Sequence, residues 1–350
     1  MAQQKLIITA DDYGAHALID DAINYAVQMG WVTAVSAFAN GPKYNGLACV
    51  DRVKILQDVN PNISVGLHLT ITSGKPLSPV ARSLIRKRGK YKGFFKGYTK
   101  QHPNKADEQE LFGELKAQVD AFHNAGITIK HFSDHHGFLS HTDKGMRCML
   151  AVVEYYEQIS GVKASVRNPY FISYHVGEEI SCLDRSVMAG KARIGIWFRN
   201  LFICKAINKF KVDPESAEKR LFQIHQKGIP TTDYFIESLY GKGSRKMLKC
   251  ILEHAPKTRY QYKNAAYASN VPVFLDDITS EVVVHLAIVP EDVQENPVFQ
   301  KNLKDLEKNY FGIATGYLQY RRGKELRALG HLNRLLKELN IDKQNTVRSF

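Results

Sequence analysis

Cysteine is scarce and scattered in this chain. Cys49, Cys148, Cys182, Cys204 and Cys250 are odd in number and form no CxxC pair. That spacing excludes a disulfide framework and a Cys-type structural zinc site, and it suits reduced thiols in a cytoplasm. Long apolar runs are missing too. The most apolar stretch, 193–205, is interrupted by Arg193, Arg199 and Lys205, far short of the roughly 18 uninterrupted residues of a membrane span. The first residues, MAQQKLIITADD, carry one Lys and a very short apolar run ending in two acids, so neither a signal nor a transit peptide is expected there. Internal repeats, low-complexity tracts and linkers are absent, which favours one elaborated domain over 1–350.

Acids are in deficit: 48 Lys and Arg stand against 35 Asp and Glu, giving a net charge of +13. The basic residues fall in short runs, Arg86-Lys87-Arg88 and Arg321-Arg322, without the aromatic interleaving of a nucleic-acid module. A solvated surface is therefore expected rather than a nucleic-acid partner. Hydrophobic residues make up 44% of the chain and charged residues 24%, and a chain of this length buries roughly 75% of its extended surface.

Short β-branched runs alternate with longer stretches of helical period, the pattern of a parallel α/β sheet or barrel. Strands are predicted at 5–9, 32–38, 63–70, 127–132, 164–167 and 282–286, and helices at 16–29, 46–58, 107–125 and 142–159. Two segments break the rhythm. The Lys-, Gly- and Pro-rich stretch 73–105 is read as a long excursion. In 168–211, Ile194, Trp197, Phe198, Leu201 and Phe202 have helical spacing, which predicts an inward-packed or subunit-interface helix rather than a membrane-surface one.

Chemistry-bearing residues gather at the predicted strand ends. The apolar strand before Asp11-Asp12-Tyr13-Gly14 runs directly into two carboxylates, and in parallel sheets the C-terminal strand ends open onto the ligand site. One acid can hold a cation while its neighbour stays free as a base; capping of the following helix is the plainer alternative. His68 interrupts Val65-Gly66-Leu67-His68-Leu69-Thr70. His131, Asp134, His135 and His136 crowd a third strand end. Alternation puts His131, Ser133 and His135 on one side and Asp134 and His136 on the other, and leaves the choice between His135 and His136 open. One acid and two histidines without a thiolate suit Zn²⁺, Fe²⁺, Co²⁺ or Ni²⁺ with open coordination positions. His285, near the end of a late strand, is a candidate proton donor.

Taken in order, Thr9-Ala10-Asp11-Asp12-Tyr13-Gly14, Gly66-Leu67-His68-Leu69, His131-x-x-Asp134-His135-His136 and Glu281-x-x-x-His285 resemble the YdjC-like (ChbG-type) carbohydrate deacetylases from about residue 5 to about residue 285. A similar basic, acidic and leucine segment, Arg322-x-x-Glu325-Leu326-x-x-Leu329, follows near the end of the chain. The resemblance implies a (β/α)-barrel-like fold of the polysaccharide deacetylase type with long loop excursions. It also implies one divalent metal ion, with Mg²⁺ or Zn²⁺ expected, and removal of an N-acetyl group from an amino sugar or chitooligosaccharide. By position it assigns Asp12, His68 and His135 to the metal, Asp11 as general base and His285 as general acid, with Arg167, Asp233 and Tyr13 at the substrate. Three positions depart from the family pattern. Ser133 and Asp134 stand in reversed order, His285 is followed by Leu286-Ala287 instead of Pro-Gly, and Thr232 precedes Asp233 where proline is common. On this reading 73–105 borders the sugar site, and Tyr91, Phe94, Phe95 and Tyr98 either stack on sugar rings or pack the loop onto the barrel. The expected partner is an acetylated amino sugar, with no nucleic acid or membrane and with a homodimer left open. A metal-dependent phosphoesterase and a non-catalytic carbohydrate-binding protein are the alternatives.

Overall fold

The computed structural model describes residues 4–89, 92–96, 103–170, 214–236, 262, 267, 278–288, 322–338 and 342–343. The elements run β1 (Gln4–Tyr13), α1 (Ala17–Gln28), β2 (Ala34–Ala37), α2 (Cys49–Val59), β3 (Ser64–Leu69), α3 (Glu108–Asn124), β4 (His131–Asp134), α4 (Asp143–Ser160), β5 (Ser165–Val166), α5 (Pro214–Gln226), β6 (Tyr234–Ile236), β7 (Ile278–Val284), α6 (Gly323–Glu338) and β8 (Asp342–Lys343). Seven strands form one parallel path, β5-β4-β3-β2-β1-β7-β6, and β8 pairs with β1. The sheet curls so that its β5 edge is hydrogen-bonded to the chain ahead of β6. Val166 N of β5 donates to Pro230 O ahead of β6 at 2.8 Å, and Asn168 Nδ2 donates to Thr232 O at 2.8 Å. This is the barrel-like α/β fold that the sequence predicts.

Period-2 alternation sorts the strand residues onto two faces. Leu6, Ile8 and Ala10 of β1, Val65, Leu67 and Leu69 of β3, Phe132 of β4, and Val282 and Val284 of β7 join one apolar core beneath the helices. Their alternates face inward: Thr9, Ser64, His131 and Glu281, together with Arg167 and Thr232, line a cavity of about 20 Å³ inside the curl. That is room for one water molecule. The outer face thus supplies the hydrophobic driving force, and the inner face carries the polar groups.

Local signals place the helices close to their predicted ranges. Asp107 caps α3 by accepting from Glu110 N at 3.0 Å, and Thr142 caps α4 by accepting from Gly145 N at 3.1 Å, each satisfying a donor that the first turn leaves free. Gly161 closes α4 in the left-handed region at φ 69°. Three strands depart most from expectation. β1 continues past residue 9 to Tyr13, β4 begins at His131 instead of 127, and β7 occupies Ile278–Val284 instead of 282–286. Ile127 and Ile129 are buried in the core, so their apolar run reports packing rather than pairing.

The 73–105 segment, where described, packs onto the barrel. Ile85 and Phe95 form an antiparallel bridge, and Leu84 and Phe95 are fully buried. Phe94 is also buried, so neither Phe presents a stacking face; Tyr91 and Tyr98 lie outside the described residues. Of the second excursion, residues 171–211 lie outside the described residues, and with them the predicted helix at 194–202. Among the described residues no helix is long and apolar enough to cross a membrane.

Glu114 of α3 holds the beginning of the first excursion. Its carboxylate accepts from Leu77 N, Ser78 N and Gln118 Nε2 at 3.2, 2.8 and 2.8 Å. Burial pushes its pKa up to about 7 against those hydrogen bonds. The folded chain therefore keeps a proton there that the unfolded chain releases above its ordinary value of 4.5. Stability from this group falls as pH rises from 4.5 toward 7, by up to about 3 kcal/mol. Urea unfolding across that range should show Glu114→Gln gaining on the wild type as pH rises; parallel profiles would contradict the assignment. At Gly66 a Cβ would overlap the His131 ring, so Gly66→Ala should cost about 1–3 kcal/mol. The cost should shrink in a His131→Ala background, and an equal cost in both backgrounds would refute the clash.

Candidate active site

Asp11 and Asp12 reach the same end of the curl by different means. Alternation from Ile7 and Thr9 turns Asp11 inward. Asp12 would then face out, but the β1–β2 register shifts between Ala10 and Tyr13, and Asp12 takes φ 73°. This left-handed conformation is costly for a residue with a Cβ and is found at sites that need an unusual side-chain direction. The kink delivers both carboxylates to one buried cluster.

His68 at the end of β3 and His135 just after β4 complete it. Asp12 Oδ1 lies 3.0 Å from His135 Nδ1 and 3.4 Å from His68 Nε2. Ligand atoms of Asp12, His68 and His135 all fall within 4.8 Å of one another, and all three residues are buried. His68 Nδ1 meets the Ser133 hydroxyl at 2.7 Å, which fixes the ring and aims Nε2 at Asp12. Phe38 packs against both imidazoles, with ring centroids at 5.1 and 5.0 Å.

The crowded histidine segment divides its labour. His131 points into the barrel between the Ser36 and Ser64 hydroxyls, at 3.1 and 3.3 Å, and burial pushes its pKa down to about 4. His135 joins Asp12. His136 takes φ 65° and turns to Thr72 Oγ1 at 3.2 Å, outside the ligand group. Asp134 accepts from Leu139 N and Ser140 N at 2.6 and 3.0 Å, holding the turn that follows His135. The reversed Ser133-Asp134 pair thus has two separate duties: the serine orients His68, and the acid ties down the loop.

Two arginines balance the acids. Arg167 donates to both oxygens of Asp11 at 2.7 and 2.9 Å, and to Glu281 Oε1 from Nε and Nη2 at 3.1 and 2.8 Å. Although burial pulls the Asp11 pKa upward, Arg167 and His68 hold it well below the usual carboxylate range. Arg322 donates to Asp12 Oδ2 at 2.5 Å, and with His135 it outweighs burial and keeps Asp12 ionised. On the same turn as Arg322, Glu325 accepts from His285 N at 2.7 Å. Burial, with help from Arg322, pushes the His285 pKa down to about 4 against the pull of Asp12 and Asp11.

Asp11, Asp12, His68, His135, Arg167 and His285 are therefore brought together, whereas Tyr13 and Asp233 are not. Tyr13 is buried in the main core on the outer face, because the register shift ends there. Asp233 precedes β6 at the N-terminal ends of the strands, where its carboxylate accepts from Thr279 N and Oγ1 at 2.8 and 3.1 Å. Glu281 and Arg322 belong to the cluster without having been singled out as site residues. Their motifs, Glu281-x-x-x-His285 and Arg322-x-x-Glu325, were the available signals.

The donor set fits a cation. Asp12 Oδ1 is buried and receives no hydrogen bond of ordinary geometry, although two imidazole nitrogens face it. Among the described residues, Asp11, Asp12 and Glu281 are paired with Arg167 and Arg322, so with neutral imidazoles this described group carries one more negative charge than positive. Two nitrogens and one oxygen suit Zn²⁺, Fe²⁺ or Co²⁺ better than Mg²⁺, which prefers oxygen ligands.

Comparison with known proteins agrees with this architecture. Among curated sequences the chain is 33% identical over 132 residues to the carbohydrate deacetylase of Oceanobacillus iheyensis, covering 38% of this chain and 54% of that protein. It is 34% identical over 134 residues to carbohydrate deacetylase 1 of Listeria innocua, covering 38% and 51%. The chain thus spans about half the length of the curated relatives it matches. A crystal structure from Enterococcus faecalis V583, described as a cellobiose-phosphate cleavage protein, superposes with a TM-score of 0.61 at 17% identity, covering 98% of each chain; that likeness concerns the fold. The profile of the YdjC-like protein family matches residues 5–333, and the chain belongs to that family.

Proposed function

We propose that this protein is a metal-dependent hydrolase that removes the N-acetyl group from an acetylated amino sugar or chitooligosaccharide. The observation that carries the reading is the buried Asp12, His68 and His135 group with a second carboxylate, Asp11, beside it and outside the ligand set. Carbohydrate deacetylase is also what the curated relatives are named.

In this reading Asp12, His68 and His135 hold the ion. When bound, the ion polarises the amide carbonyl and lowers the pKa of a water molecule. Asp11 is the general base that takes the water's proton, and Arg167 keeps its carboxylate ionised and fixed in direction. His285, just after β7, donates a proton to the departing amine. Its low pKa makes the imidazole a strong acid once protonated, so it must acquire the proton within the catalytic cycle. Ser133 holds the His68 ring and Asp134 the loop behind His135, so the ligand directions are set before substrate arrives.

Acetate release from N-acetylglucosamine oligomers, followed after chelation and after return of divalent ions, tests this. Activity should vanish with the metal and return with Zn²⁺ or Co²⁺; release that ignores chelator would exclude the metal's role, and no release from any acetylated amino sugar would exclude the substrate class. Asp11→Asn should keep its metal content and lose about 10²–10⁴-fold in turnover. Asp12→Asn should lose bound metal and recover part of its activity at high metal concentration. Equal metal loss in both variants would overturn the division of roles.

A further inference from the structure

Asp12 uses its two oxygens differently. Oδ1 faces His135 and His68, while Oδ2 accepts from Arg322 Nη2 at 2.5 Å. Arg322 is 3% exposed and lies immediately before α6, 310 positions away in sequence. One turn along, Glu325 accepts from His285 N at 2.7 Å, so the start of α6 is fixed to the end of β7 independently of Asp12. The Glu325 bond ties down the backbone from which the guanidinium extends, and the left-handed backbone at Asp12 restrains the carboxylate.

We infer that Arg322 is a positioning residue that restricts Asp12 to a single ligating oxygen at the proposed metal site, and thereby preserves a coordination position for water and substrate. A free carboxylate can grip a cation with both oxygens. With two imidazoles, a two-oxygen Asp12 would fill four positions, the full complement of a closed tetrahedral site. Arg322 prevents this by occupying Oδ2. It does so at a cost in affinity, because a guanidinium beside the site repels the incoming cation. If Arg322 served merely to steady Asp12, its removal would weaken metal binding. If it holds one oxygen in reserve, its removal should strengthen binding and impair turnover.

The inference rests on the metal reading above, and one titration separates the two. Metal-stripped full-length protein is titrated with Zn²⁺ and with Co²⁺ by calorimetry, and the Co²⁺ visible absorption is recorded at saturation. The wild type should bind one ion per chain. Arg322→Gln should bind about tenfold more tightly, show weaker Co²⁺ bands as the coordination number rises, and turn over more slowly at saturating metal. Arg322→Lys, which can still donate to Oδ2, should match the wild type in affinity. No binding by the wild type would overturn the metal reading and this inference together. Binding by the wild type with weaker binding by Arg322→Gln would overturn the inference alone. Should Arg322→Gln fail to fold, a tenfold or greater loss of affinity in Arg322→Lys would overturn it equally.

Discussion

Asp12 is a carboxylate with no access to solvent, and a buried charge must be compensated where it lies. Most of the site is arranged around that requirement. Arg322 from the far end of the chain takes one oxygen, two imidazoles from neighbouring strand ends face the other, and the backbone adopts a left-handed conformation to put the carboxylate there. The charge is affordable because the barrel interior holds polar groups: Thr9, Ser64, His131 and Glu281 line it alongside Ile7 and Ala34, while the main apolar core lies on the other face of the strands.

The same alternation links fold to site. His131, Ser133 and Glu281 occupy inward positions of strands whose outward neighbours are Phe132 and Val282, so shifting a strand by one residue would exchange core for site. Closure of the curl then sets the electrostatics. Arg167 follows β5 at one edge and reaches across to Asp11 on β1 and Glu281 on β7. Its position depends on the bonds that join the β5 edge to the chain ahead of β6. Each of the two acids is held by its own arginine, Asp11 by Arg167 and Asp12 by Arg322, which is the separation that the proposed mechanism requires.

Much of this was legible in the sequence. Alternation and helical period located the first four helices and the strands that carry the aspartates and His68, since both features are local. The strand-end acids and histidines were visible for the same reason. Alternation also kept His131, Ser133 and His135 together, and the positive φ that turns His136 toward Thr72 resolves the remaining choice between the two adjacent histidines. What was not legible depends on closure. Arg322 reaches Asp12 across 310 positions and Arg167 reaches Glu281 across 114, and no local period encodes such contacts. Tyr13 and Asp233 show the converse: each sits within a short motif, yet the bulge sends one into the core and Thr279 takes the carboxylate of the other.

The central claim is that Asp12, His68 and His135 form a metal centre at the C-terminal ends of β1, β3 and β4. Anomalous diffraction from crystals grown with Zn²⁺, recorded above and below the zinc edge, tests it most directly. The account predicts one strong peak per chain, about 2.0–2.2 Å from Asp12 Oδ1 and from a nitrogen of each imidazole. An empty map at this position under zinc-replete conditions, or a peak held by other side chains, would contradict it.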